Sequence, residues 1–176
     1  MTKKIYIFLF AAALLSCNGK DEQAGDSNPL YFDIKGFFEN EITRMSKLNP
    51  VVDKVVEING TVERKTIKVS DWKKEFTIFL NADINKASWR GSFTVVKKDS
   101  AEVFTSDNKK IPIKSIQVDK IGSGVKKIEI VIANKNILFQ SNDTLVYFPD
   151  SLYRIKKQQK IRLLSEKTYQ ITGKIK

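Results

Sequence analysis

The chain has 176 residues and a formal net charge of +11, with 31 basic and 20 acidic side chains, no histidine and one cysteine. It therefore lacks the usual nitrogen and sulfur ligands of zinc and copper sites, and Ser-His-Asp and Cys-His catalysis are excluded. A single cysteine cannot form a disulfide within the chain, and no D-x-D-x-D calcium loop occurs. We predict no metal, no cofactor and no enzymatic activity.

The N-terminus has the pattern of a secretory signal peptide. Lys3 and Lys4 precede an apolar run over residues 5–15. This run is too short to cross a bilayer, which needs about 20 residues, and its length is typical of a signal-peptide core. We predict that residues 1–16 are a signal peptide, which leaves enough chain for one domain.

The apolar run ends in Leu14-Leu15-Ser16-Cys17. This segment resembles the lipobox of bacterial lipoproteins, with leucine three residues before the cysteine and a small residue directly before it. The resemblance implies cleavage after Ser16 and attachment of fatty acyl chains, such as palmitate, at Cys17. It also implies a lipoprotein held in the outer membrane, since two or three acyl chains anchor a protein stably.

A polar segment follows the cysteine. Lys20-Asp21-Glu22 resembles the export signal of surface lipoproteins of Bacteroidota, which implies exposure on the cell surface. The alternative interpretation is an ordinary polar tether. Residues 17–29 are accordingly predicted to be the lipidated cysteine and a flexible tether, and residues 30–176 a single domain.

The domain begins with a helix and a hairpin. Apolar residues recur at spacings of three and four over residues 33–48, which predicts an amphipathic helix with Asp33 as its N-cap. Residues 51–58 and 61–69 flank Asn59-Gly60, the strongest short signal for a β-hairpin, because both turn residues tolerate positive φ.

A second helix is predicted over residues 71–84, with Ser70 as its cap and an apolar stripe that includes Trp72. Trp89 and Arg90 follow in a polar connection. Trp89 has two interpretations, an exposed recognition residue or a core residue that opens the next strand.

From Gly91 onward, short apolar runs alternate with turn signals. The pattern predicts a bulge at Lys114-Ser115, a turn at residues 141–143 and further strand structure over residues 161–164. The fold class is predicted to be α+β, an antiparallel meander of about seven to nine strands, as a sheet or half-open barrel, covered by two N-terminal amphipathic helices.

Lysine pairs are scattered along the chain, at Lys73-Lys74, Lys97-Lys98, Lys109-Lys110, Lys126-Lys127 and Lys156-Lys157. They indicate either a surface for anionic partners or solvated turns and protected sheet edges. The candidate partner contacts are Trp89, Arg90, Lys126 and Lys127. The carboxylates, including Glu39 and Glu41, are interpreted as surface charges.

The leading functional prediction is a non-enzymatic binding module of the cell envelope, anchored in the membrane through Cys17. Its partner would be an envelope protein, a glycan or an anionic polymer, and no nucleic acid, because no nucleic-acid fold signature occurs. The alternative is a carrier of lipid or another small apolar ligand with a half-open β-barrel. A hydrolase that uses carboxylates alone is the third hypothesis.

Overall fold

A computed structural model of the chain describes residues 29–176. The predicted signal peptide, the lipobox with Cys17, the export signal at Lys20-Asp21-Glu22 and residues 17–28 of the tether lie outside the described residues.

The described chain forms one antiparallel sheet of nine strands and two α-helices. A 3-10 turn over Ala87–Trp89 precedes the third strand. The helices are α1 (Ile34–Leu48) and α2 (Trp72–Leu80), and the strands are β1 (Val51–Ile58), β2 (Thr61–Lys68), β3 (Thr94–Lys98), β4 (Ala101–Thr105), β5 (Ile113–Ile121), β6 (Gly124–Lys135), β7 (Phe139–Phe148), β8 (Leu152–Ile161) and β9 (Lys167–Ile175).

The strand order is β2-β1-β9-β8-β7-β6-β5-β4-β3. Strands β3 to β9 form a meander, and the β1–β2 hairpin pairs with β9, the last strand of the chain. The α+β meander is therefore confirmed. One finer prediction is wrong: the helices are not both N-terminal, because the predicted β1–β2 hairpin lies between them. The sheet does not close into a barrel, and β2 and β3 are its two edges.

Local capping explains where the helices begin. The Asp33 carboxylate accepts a hydrogen bond from the Gly36 amide at 2.8 Å, which confirms the predicted cap of α1. Asp71, rather than Ser70, caps α2 and accepts from the Lys74 amide at 2.9 Å. Helix α2 ends at Leu80, four residues earlier than predicted, although Ile84 is still buried.

Two predictions about the strands are confirmed. Asn59 and Gly60 connect β1 to β2, with φ of 49° and 86°. The pairing of β5 with β6 shifts register between Ile113 and Ser115, which is the bulge predicted at Lys114-Ser115. Pro112 lies directly before β5, an interior strand, so its missing N–H is not needed in the strand ladder.

Two other predictions about the strands are wrong. Residues 141–143 lie within β7 instead of forming a turn, because Ser141 and Asp143 point to the helix-covered face and hydrogen-bond to each other. Residues 162–166 form the turn between β8 and β9, so the apolar pair Leu163 and Leu164 is exposed at the surface.

Aromatic side chains fill the space between the helices and the sheet. Phe38 of α1 stacks on Phe79 of α2 at 4.7 Å between ring centroids. Phe76 of α2 lies 5.5 Å from both Tyr147 of β7 and Tyr153 of β8. Both helices therefore pack on the same face of the sheet, which we call the inner face, and the opposite face is the outer face.

Candidate functional site

The structure places the four predicted partner contacts on two separate elements. Trp89 ends the 3-10 turn, packs half-buried against the core and lies under the Lys86 ammonium at 4.3 Å from its ring centroid. Arg90 is exposed. Lys126 is exposed on β6, whereas Lys127 forms an ion pair with Glu129 at 2.6 Å.

Within residues 29–176, no hydrogen bond, ion pair or ring contact joins Trp89 or Arg90 to Lys126 or Lys127. The half-buried position of Trp89 agrees with its interpretation as a core residue more closely than with an exposed recognition residue. The four residues remain predicted contacts, but the fold does not assemble them into one site.

A different group of basic side chains surrounds a surface cleft of about 420 Å³ at the β2 edge of the sheet. Three strands contribute to it, because β1 pairs with both β2 and β9. Five of its eight lining residues are cationic and one is acidic. We call it the basic cleft, lined by Asp53, Lys54, Val55, Arg64, Lys65, Thr66, Lys174 and Lys176.

Asp53 lies at the centre of a cross-strand row in this cleft. It is directly opposite Thr66 on β2 and Lys174 on β9. The Thr66 hydroxyl donates to its carboxylate at 2.7 Å, and the Lys176 ammonium lies 2.6 Å away. The hydrogen bonds from Lys176 and Thr66 hold the pKa of Asp53 below its usual range, so this carboxylate stays charged and occupied by its own neighbours.

Two further cations of the cleft have acidic partners. Lys54 donates to both carboxylate oxygens of Glu75 at 2.7 and 2.8 Å, and Lys65 forms an ion pair with Glu63 at 2.6 Å. The side chains of Arg64 and Lys174 make no hydrogen bond or ion pair with any residue that the structure describes. These two cations are therefore available to an anionic ligand.

A partly buried hydrogen bond on the inner face fixes the acidic partner of Lys54. The Tyr153 hydroxyl donates to Glu75 at 2.6 Å, and the same carboxylate holds Lys54. Burial, and then the hydrogen bond to Glu75, raise the pKa of Tyr153. The phenol therefore stays protonated and keeps Glu75, and with it helix α2, in place on the inner face of the sheet.

A second tyrosine attaches α1 to the sheet in the same way. The Tyr147 hydroxyl donates to Glu41, which also accepts two hydrogen bonds from Arg44 at 2.7 and 2.8 Å. Arg44 in turn contacts Asp150 in the turn after β7. Glu39 is exposed, but Glu41 is buried, so the surface interpretation is wrong for Glu41.

A serine, an aspartate and a lysine meet on the inner face away from the basic cleft. The Ser141 hydroxyl donates to Asp143, and the Lys157 ammonium lies 3.6 Å from the other Asp143 oxygen. A serine nucleophile needs a base that accepts its proton and an open path to substrate. Ser141 is only 1% exposed, so this cluster stabilises the sheet instead of offering a reactive hydroxyl.

A smaller recess of about 340 Å³ lies beside the β3–β4 turn. Glu102 lies between Lys120, at 2.8 Å, and Lys97, at 3.4 Å. The hydrogen bond from Lys120 lowers the pKa of Glu102. Both lysines are therefore paired with Glu102, which makes this recess a weaker anion site than the basic cleft.

In the described part of the chain, no group of three or more histidine, cysteine, aspartate or glutamate residues is arranged to hold a metal ion. Over the same residues, none of the helices combines the length and hydropathy needed to cross a membrane.

No protein-family model matches the chain, and neither the curated proteins nor the solved structures that were searched contain a match to it.

Sequence analysis missed the basic cleft because its residues are far apart in the chain. Arg64 and Lys174 meet only because β1 pairs with β9, a contact between the two ends of the domain. The alternation of Arg64, Thr66 and Lys68 along one strand was the available signal that β2 has a basic outer face.

Proposed function

We propose that this chain is a lipoprotein of the outer membrane, anchored through acyl chains on Cys17, that acts as a non-enzymatic binding module of the cell envelope. Its binding surface is the basic cleft, and its partner carries anionic groups, as an acidic envelope glycan or polymer does. The observation that supports this proposal best is the pair Arg64 and Lys174, two cations in one cleft that form no ion pair or hydrogen bond with any described residue.

The filled inner face supports a binding module over a carrier. A carrier needs an apolar cavity between the sheet and its covering helices. The rings of Phe38, Phe76, Phe79 and Tyr147 instead contact one another across that space, with centroids 4.7–6.2 Å apart. An apolar ligand would have to displace this cluster.

Binding to a heparin oligosaccharide, a polymer with sulfate and carboxylate groups, tests the site. The double variant Arg64→Gln, Lys174→Gln removes the two unpaired cations of the cleft. Exposed ion pairs contribute about 0.5–1 kcal/mol each, so we expect the dissociation constant to rise roughly five- to thirty-fold. Isothermal titration calorimetry at moderate salt measures the change.

The matched control is Arg90→Gln, Lys126→Gln, which removes the same net charge from two exposed predicted contacts. It should bind heparin almost as tightly as the unchanged chain. Equal weakening by both double variants would mean that net charge alone drives binding, and weakening by the control alone would move the site to Arg90 and Lys126.

Membrane anchorage has a separate test. Cys17→Ala removes the sulfur that carries the acyl chains, so the mature protein should lose its acyl mass and leave the membrane fraction. Mass spectrometry of the intact protein and alkaline washing of membranes measure the two effects. A Cys17→Ala protein that kept its acyl mass and stayed in washed membranes would contradict the proposed lipid anchor.

A further inference from the structure

Three turns of the sheet lie side by side at one end. They are Asn59-Gly60 between β1 and β2, residues 136–138 between β6 and β7, and residues 162–166 between β8 and β9. The Arg162 amide donates to the Leu138 carbonyl at 2.8 Å, and the Asn59 amide donates to the Thr168 carbonyl at 2.9 Å. The three turns therefore form one continuous end surface.

Large aliphatic side chains are exposed on two of these turns. Ile137 is 85% exposed and Leu138 63%, while Leu163 is 96% exposed and Leu164 58%. We call these four residues the apolar tip. Four aliphatic side chains that project together from adjacent turns indicate a surface that is covered by a partner.

One residue of the apolar tip, Leu163, has a strained backbone conformation. Leu163 has φ of 69°, in the left-handed region that normally belongs to glycine. Glycine or asparagine at this position would relieve the strain. Strained residues of this kind concentrate at functional sites, and here the strain presents an aliphatic side chain to solvent.

Cations surround the apolar tip. Lys135 ends β6, Lys160 is the penultimate residue of β8, Lys167 begins β9, and Arg162 lies within a turn. The only acidic residue in the two turns of the tip is Glu166. An apolar centre with a cationic rim complements a bilayer with anionic headgroups, to which each basic side chain near the surface contributes about 1 kcal/mol.

We propose that the apolar tip inserts into the interface of an anionic lipid bilayer. This contact is additional to the anchor on Cys17 and does not depend on it. The 12 residues 18–29 that separate Cys17 from the domain span at most about 43 Å, which allows the tip of an anchored domain to reach the same membrane. The tip would then fix the orientation of a domain that the tether alone leaves free.

Insertion would also orient the proposed binding site. Ile58 lies next to the Asn59-Gly60 turn, at the same end of the sheet as the apolar tip. Asp53 of the basic cleft lies five residues before Ile58 on β1, a distance of about 17 Å along an extended strand. Arg64, opposite Val55, lies about 10 Å from the same turn. A domain whose tip lies in the membrane therefore holds the two ends of the basic cleft about 10 and 17 Å from this turn, open to a partner in the envelope.

Tryptophan quenching by brominated lipid tests the proposal on the full chain. The variant Leu163→Trp is reconstituted into nanodiscs of phosphatidylethanolamine and phosphatidylglycerol, with part of the acyl chains brominated. We expect about half of the added emission to be quenched, because interfacial side chains lie about 5–10 Å deep. Discs without phosphatidylglycerol, or high salt, should reduce the quenching.

The matched control is Ser123→Trp, in the exposed turn between β5 and β6 at the opposite end of β6. Both variants keep the same N-terminal anchor, whether acyl chains or residues 5–15 provide it. The unchanged chain gives the background emission of Trp72 and Trp89. Quenching at position 163 but not at position 123 supports the proposal.

Two results would overturn it. Emission of Leu163→Trp that brominated lipid leaves unchanged, or quenches no more than that of Ser123→Trp, means that the tip does not enter the bilayer. If the discs then hold a dimer, a second copy of the chain covers the tip instead. Leu164→Trp serves as the tip probe if Leu163→Trp does not fold, as judged by circular dichroism.

Discussion

Individual tyrosine hydroxyls connect the helices to the sheet at two points. Tyr147 donates to Glu41 of α1, and Tyr153 donates to Glu75 of α2. Each carboxylate is also held by a cation, Arg44 or Lys54. Each buried charge is thereby compensated, which is the condition for placing it beneath a helix.

Tyr153→Phe removes one of these hydrogen bonds without changing the packing of the ring. We expect the free energy of unfolding to fall by about 1–2 kcal/mol, because a hydrogen bond to a charged group is lost and the partly buried Glu75 keeps one partner fewer. Urea denaturation measures the change. Tyr169→Phe is the control, because the Tyr169 hydroxyl makes no side-chain hydrogen bond among residues 29–176. An equal loss of stability in both variants would contradict the role of the Tyr153 hydroxyl.

The raised pKa values of Tyr147 and Tyr153 predict that the protein loses stability at alkaline pH. Burial first, and then the neighbouring carboxylates, raise the pKa of Tyr147 and Tyr153 in the folded chain. Above about pH 10 the unfolded chain loses phenolic protons that the folded chain keeps, so stability should fall by about 1.4 kcal/mol per pH unit for each tyrosine. Below that pH the contribution is fully present.

Urea denaturation between pH 8 and pH 11.5 measures this slope. The double variant Tyr147→Phe, Tyr153→Phe should unfold at lower urea at neutral pH but show a flatter decline above about pH 10. An unchanged slope in the double variant would show that other groups cause the alkaline loss.

Residue-level predictions from sequence succeeded where the interaction is local. Asp33 and Asn59-Gly60 were identified because a cap and a tight turn depend on neighbours within three residues. The burial of Glu41 was not predicted, because its partner Tyr147 is 106 positions away in the sequence. Helical periodicity alone cannot show that a carboxylate meets a phenol across the sheet.

At the level of elements, the Tyr153 ring of β8 lies over Gly173 of β9, where a larger residue would leave it no room. Tyr153 lies directly across from Gly173, and a Cβ atom at Gly173 would lie 2.2 Å from Tyr153 Cζ. The glycine therefore lets the tyrosine ring lie flat over β9. This arrangement keeps the hydroxyl within reach of Glu75.

Gly173→Ala should lower the free energy of unfolding by about 2 kcal/mol or more, because the ring must move away from its hydrogen-bonded position. Thermal or urea denaturation measures this loss. Gly124→Ala is the control, since the nearest atom to its added Cβ is a backbone oxygen 3.6 Å away. In the background of Tyr153→Leu the loss from Gly173→Ala should be smaller, and a fully additive loss would contradict the proposed contact.

Some elements were mispredicted because polar residues were taken for turns and apolar residues for strands. Ser141 and Asp143 have the composition of a turn, but they satisfy each other inside β7. Leu163 and Leu164 have the composition of a strand, but they lie in a turn at the apolar tip. The apolar tip was therefore not predicted from the sequence, because its leucines were assigned to a strand.

At the scale of the whole molecule, the pairing of β1 with β9 decides where the charges meet. The meander from β3 to β9 follows from local turn signals, and the sequence predicted its class and approximate strand number. The β1–β2 hairpin pairs with the last strand, and this long-range pairing is not encoded in any local sequence pattern. The basic cleft depends on that pairing, so its location was found only in the structure.

The two proposed surfaces lie on different parts of the same sheet. The apolar tip is at the end where β1 turns into β2, and the basic cleft surrounds Asp53 nearer the beginning of β1. We therefore propose that one end of the domain faces the membrane and that the basic cleft faces a ligand.

Hydrogen–deuterium exchange of the protein with and without a heparin oligosaccharide tests the location of the binding site most directly. We expect slower exchange within residues 51–68 and 172–176, the strand segments that line the basic cleft. Slower exchange at residues 86–90 and 124–128 instead, around Trp89, Arg90, Lys126 and Lys127, or no change at all, would contradict it.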